Sequence, residues 1–182
     1  DAGQFEAMLR PPQPSLPTPD LPATGLALPP QPPDVISFPA DPPLPPHAGE
    51  TIVAKRFLSA AALADPRSAQ ARAALTQLAA DERVVQLCVV EALEQIAALD
   101  DSFAPDIVSA YSMTGITLTP LSIDAPGAAF RSHGHWYNLA FKCTVTSDLE
   151  KVAGFEFRLG AEIPREQWAR HSLVEGADPH AH

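Results

Sequence analysis

The chain has 182 residues, a length that allows one domain or a domain with a tail, and a net charge of −10 with acids in excess both before and after residue 50. It has no clustered positive face of the kind that binds nucleic acid or anionic lipid. It also lacks a run of about 18 apolar residues that would cross a membrane.

The N-terminal residue is Asp1, with neither an initiator Met nor a signal peptide. The sequence therefore reads as a mature or truncated piece, and any membrane attachment is expected through an anchor absent from this chain. Of the 21 prolines, 15 lie between Pro11 and Pro46. Proline fixes φ and lacks a backbone donor, so neither helix nor sheet propagates through such a stretch. Residues 1–50 are expected to form a proline-rich disordered arm, in part polyproline II. If fully extended, the 36 residues from 11 to 46 would reach on the order of 110 Å. A spacer is the reading preferred over a docking peptide for proline-binding grooves, because basic flanks are nearly absent.

Residues 51–174 are expected to form one α+β domain, with N-terminal helices packed on one face of a small antiparallel β-sheet, and 175–182 a flexible tail. Alanine-rich 54–65 predicts a helix. Asp65-Pro66 then supplies an N-cap followed by proline at the first helical position, predicting a second helix over 66–79. Val85, Cys88, Val89, Ala92, Ile96 and Leu99 recur at three- and four-residue spacing and predict a third helix over 82–99. Glu91, Glu94 and Gln95 fall outside this stripe, and the two glutamates read as a solvated face rather than as tuned catalytic acids.

After Pro105 the period changes to two. Strands are predicted over 107–113 and 116–123, the latter on an edge or with a bulge because of Pro120. Ala125-Pro126-Gly127 reads as a turn, 128–132 as a short strand, and His133-Gly134 as the start of a tight turn. In 136–145, Tyr137, Leu139, Phe141, Cys143 and Val145 share one face. In the next strand Ala153, Phe155, Phe157 and Leu159 share another, with Val152, Gly154, Glu156 and Arg158 opposite. Matching the apolar faces pairs 143 with 153, 141 with 155 and 139 with 157. Parity is well specified, because a slip of one turns every apolar residue outward; a slip of two remains open. Ile163–Trp168 opens a last short helix, with Trp168 packed on the domain edge.

The count of two cysteines leaves two readings open, buried thiols in a reducing cytosol or one disulfide in an oxidising compartment. Laying the 82–99 helix across the sheet puts Cys88 and Cys143 on facing surfaces and favours the disulfide. It would close a loop of about 56 residues, worth roughly 4 kcal/mol in the chain-entropy account.

Three stretches, ERVVQLCVVEALEQI (82–96), AFRSHGHWYNLAFKCTV (129–145) and FEFRLGAEIPREQWARHSL (155–173), together resemble a bacterial, mostly alpha-proteobacterial family catalogued as a domain of unknown function, DUF 930. The resemblance covers about residues 66–173. It implies a helix-then-sheet domain at the C-terminal end of envelope-associated proteins, often after a proline-rich region and a membrane segment. Cys88 and Cys143 match its two cysteine positions. It implies no catalytic residues.

No nucleophile, phosphate-loop or paired-cysteine motif is present, and no cofactor is implied. His133 and His135 could place two imidazoles on one side of a strand, but zinc needs a third ligand; they read first as a turn. The second face of the sheet carries Arg131, Trp136, Asn138, Lys142 and Arg158, the residue types that anchor interfaces, unless an N-terminal helix or the arm itself covers Trp136. The expectation is a non-enzymatic periplasmic or membrane-anchored envelope module that binds a protein or envelope component. The alternative is a small-ligand binder or hydrolase with a pocket between helix and sheet, and His133, His135 or Glu91 near its mouth.

Overall fold

The computed structural model describes residues 44–176. The arm expected over 1–50 lies outside the described residues up to 43, and the last part of the tail, 177–182, lies outside them too. What is described is an α+β unit: helices against one face of an antiparallel sheet, as the sequence predicts.

Six strands form the sheet: β1 (Ile52–Val53), β2 (Pro105–Ser109), β3 (Thr117–Thr119), β4 (Ser122–Ser132), β5 (His135–Val145) and β6 (Val152–Glu162). Their order is β1-β6-β5-β4-β2, with β3 also pairing β4. β2 pairs with one end of β4 and β3 with the other, so two short strands share one edge. Residues 45–50 join the unit as well, since Gly49 N–H donates to Leu159 O at 2.8 Å.

Pro120 lies in the turn of the β3–β4 hairpin, so the single strand predicted over 116–123 is two strands folded back on each other. The predicted turn at 125–127 lies inside β4, as a register shift between Ala125 and Ala128. Proline is tolerated there because a bulge needs no ladder donor at that position. Gly127 is required by close approach: a Cβ on it would stand 2.2 Å from Thr114 Oγ1. The loop after β2 is tied to this bulge by Met113 N–H donating to Gly127 O at 2.8 Å.

The β5–β6 hairpin has the predicted parity and a register two residues away, with Cys143 opposite Phe155, Phe141 opposite Phe157 and Leu139 opposite Leu159. The cause is the connection. Thr146 N–H donates to Lys151 O at 2.8 Å, closing a six-residue turn, and a register shift follows between Thr144 and Val145. That irregularity also inverts two side chains. Val152 is buried and Ala153 exposed, opposite to the simple alternation.

The first predicted helix is shorter than expected. Residues 52–53 are strand, and α1 spans Ser59–Ala64. Asp65 caps as predicted, accepting Arg67 N–H, but Pro66–Ser68 is a 3-10 turn before α2 (Ala69–Leu75). The dominant helix is α3 (Ala80–Leu99), with Asp81 and Glu82 favourably placed in its first turn. Its buried face is Val84, Leu87, Cys88, Glu91, Ala92 and Ile96. Val85, Val89 and Leu99, assigned to the stripe from spacing, are only half-buried. The main core lies between α3 and the sheet, with Phe130, Phe141, Phe155 and Phe157 from the strands.

Candidate functional site

Cys88 of α3 and Cys143 of β5 form a disulfide with Cα atoms 5.9 Å apart. Both are buried, so the bond ties the principal helix to the central strand from inside the core.

One turn along α3, Glu91 is fully buried, which corrects its assignment to a solvated face. Its carboxylate accepts Leu58 N–H at 3.0 Å and Ser59 N–H at 2.8 Å, the unsatisfied donors at the start of α1. Gln95 Nε2 donates to Glu91 Oε1 at 2.6 Å and to Arg56 O at 2.7 Å. A negative charge is favourable at a helix N-terminus. Glu91 therefore seats α1 rather than facing a pocket mouth.

The second face of the sheet is divided. At one end it is closed by α4 (Arg165–Trp168) and the 3-10 turn Ala169–His171. Ala129, Trp136, Ile163, Trp168 and Leu173 make a second apolar cluster there. Trp136 is 2 % exposed and donates from Nε1 to Val174 O at 3.0 Å. Arg131 lies over its ring, 5.9 Å from the centroid, and pairs with Asp106 through Nε at 3.0 Å. The Arg131 hydrogen bonds hold the Asp106 carboxyl below its usual range, and the same bonds raise the guanidinium. Trp136 and Arg131 are thus covered by the segment after β6, where the sequence led to an N-terminal helix or the arm as the expected cover. The signal was present in the sequence: Ile163, Trp168 and Leu173 are apolar residues that follow the strand just where Pro164 turns the chain.

The rest of that face is open. Across three strands Asp124 stands opposite Lys142, and Lys142 opposite Glu156, with Lys142 Nζ 4.0 Å from Glu156 Oε1. The next row pairs Ala140 with Arg158. Asn138 is half-buried, its Nδ2 donating to Ala161 O at 3.0 Å. Pro126 and Ala140 leave a shallow trough of about 240 Å³ between the charged side chains. Of the five residues expected on the partner face, Asn138, Lys142 and Arg158 line this open strip or its continuation.

His133 and Gly134, with φ of 50° and 78°, form the two-residue turn between β4 and β5. The two imidazoles go separate ways. His133 Nε2 lies 3.1 Å from Ser102 O, and His135 Nδ1 lies 2.7 Å from Glu162 Oε1. Among the described residues no group of three or more His, Cys, Asp or Glu side chains converges to hold a metal. None of their helices is long and apolar enough to cross a membrane.

A cavity of about 440 Å³ lies on the helical side, where α1, α2 and α3 meet the β5–β6 turn. Neither His133, His135 nor Glu91 lines it. No periodic pattern in the sequence marks it, because it forms between short helices whose ends are set by tertiary contacts.

The family model described as Domain of Unknown Function (DUF930) matches residues 75–173, more than half of the chain. No curated protein and no solved structure matches it. The match takes in both cysteines, Glu91, the two faces of the sheet and the segment that covers Trp136. The chain belongs to the DUF930 family.

Proposed function

We propose that this DUF930 domain is a non-catalytic interaction module of the bacterial cell envelope, working on the periplasmic side and held away from a membrane anchor by the proline-rich arm. The observation that carries the reading is the Cys88–Cys143 bond. Lasting disulfides belong to oxidising compartments, and this one lies in the core, where it serves as a staple rather than as a redox centre. The partner is a protein or envelope component, and the surface for it is the open strip of Asn138, Lys142 and Arg158 flanked by Asp124 and Glu156. Alternating charge on a rigid sheet favours recognition by complementarity over non-specific adhesion.

The test is a cross-linking pull-down from envelope fractions, comparing the native chain with Lys142→Glu plus Arg158→Glu. Both side chains are exposed, so the variant should fold normally. Loss of a partner that the native chain retains is expected. An identical set of partners at matched folding would remove the strip from the proposal.

A second reading, binding of a small ligand, is favoured by the helical-side cavity. Its 440 Å³ lies within the range of ligand pockets, about 300–1,000 Å³.

A further inference from the structure

The helical-side cleft is built where three helices meet. Ala60, Leu63 and Ala64 come from α1, Leu75 from α2 and Leu87 from α3. Leu149 closes the far side from the β5–β6 turn. That leucine has φ of 59°, in the left-handed region that bulky residues avoid. The turn holds it there: Leu149 N–H donates to Thr146 O at 2.9 Å, and Asp148 Oδ1 accepts Glu150 N–H at 3.1 Å. An aliphatic side chain is thus fixed at the cleft by a turn that is strained to place it.

The rim is cationic in a chain of net charge −10. Arg72, Arg83 and Lys151 line it, against the single carboxylate of Glu150. Arg72 Nη1 donates to Leu63 O at 2.7 Å, and Arg83 donates to Leu75 O at 2.9 Å and Thr76 O at 2.7 Å. The two guanidiniums are held by carbonyls at the carboxyl ends of α1 and α2, a recurrent way to end a helix. These bonds leave Arg72 Nε and Nη2 and Arg83 Nη1 with donors to spare. Among the described residues neither arginine, nor Lys151, has a carboxylate within ion-pairing distance. Apolar walls with two guanidiniums fixed at the mouth and Lys151 beside them match one ligand chemistry, an apolar body with a single anionic head.

We infer that this cleft binds a medium-chain carboxylate, its chain against Leu63, Leu75, Leu87 and Leu149 and its head at Arg72, Arg83 and Lys151. With a methylene taken as about the size of a water's share of the liquid, roughly 30 Å³, the cleft of about 440 Å³ has room for the ten carbons of decanoate with space left at its open mouth.

The test is calorimetric titration of the full chain with decanoate and with decanol, alongside two variants. Ala60→Trp fills the cleft from an exposed position of α1, and Lys151→Glu reverses an exposed rim charge. Near-ultraviolet circular dichroism checks that each variant keeps the native fold. Expected are one saturable decanoate site per native chain, its loss in Ala60→Trp, and weakening by about threefold to tenfold in Lys151→Glu. Decanol should bind more weakly than decanoate. The inference is overturned if decanoate shows no saturable binding, if Ala60→Trp binds it like the native chain, or if decanol binds as tightly.

Discussion

The carboxylate of Glu91 accepts the backbone N–H of Ser59 at 2.8 Å across 32 residues of chain. This bond and its neighbour to Leu58 decide where α1 starts, since no side chain of α1's own caps its N-terminus. A helix of six residues is too short to be stable alone, so α1, and with it one wall of the cleft, exists because α3 supplies this acceptor.

Glu91→Ala would leave a half-buried donor at Leu58 and a buried one at Ser59 without partners. The expected loss is about 2–4 kcal/mol, from the cap and from the unpaired groups together. Glu91→Gln keeps one acceptor oxygen and should lose roughly half as much. Urea denaturation at neutral pH checks both. Equal stability of Glu91→Ala and the native chain would show that α1 is seated by something else.

Much of the architecture is legible in the sequence for one physical reason: a period of two or of 3.6 survives wherever an element is long and one face is buried. β5, β6 and α3 meet that condition, and facing parity brought Cys88 and Cys143 together. Glu91 was hidden by its charge. The series 84, 87, 88, 91, 92, 96 has helical spacing, and position 91 lies in its middle, but a carboxylate there reads as solvent-facing unless its distant donors are known. The hairpin register is set by the six-residue turn at Thr146, which carries no periodic signal, and Pro126-Gly127 suits a turn as well as a bulge because both use the same residues. The cover over Trp136 was legible only as an alternative, and from the wrong end of the chain.

The Asp106–Arg131 pair ties β2 to β4 beside Trp136 and gives that end of the sheet a pH dependence with a definite sign. The Arg131 hydrogen bonds lower the folded-state pKa of Asp106. Its stabilising effect is therefore complete above the unfolded carboxylate value of about 3.9 and is lost as pH falls through the lower folded value. Asp106→Asn should be less stable than the native chain at neutral pH, with the difference shrinking to nothing in acid. Both tryptophans of the chain, Trp136 and Trp168, lie in this cluster, so their fluorescence follows the cover directly. A difference that stays constant from neutral pH into acid would contradict the assignment.

Gly127→Ala tests the bulge. A methyl group at that position would meet Thr114 Oγ1 at 2.2 Å and Thr114 N at 2.5 Å, too close without moving the 110–116 loop. A loss of about 1–3 kcal/mol is expected. Gly115→Ala, where an added Cβ meets nothing within 4 Å, is the control and should change little in thermal unfolding. Equal effects of the two would mean that the loop yields freely.

The proposed envelope role requires that the domain live oxidised, with its helix stapled to its sheet. The most direct measurement is alkylation of protein taken from its native cells under thiol-trapping conditions, followed by peptide mass spectrometry. Cys88 and Cys143 should escape alkylation and appear in one disulfide-linked peptide pair, separating only after reduction. Two alkylated free thiols in the trapped protein would contradict it.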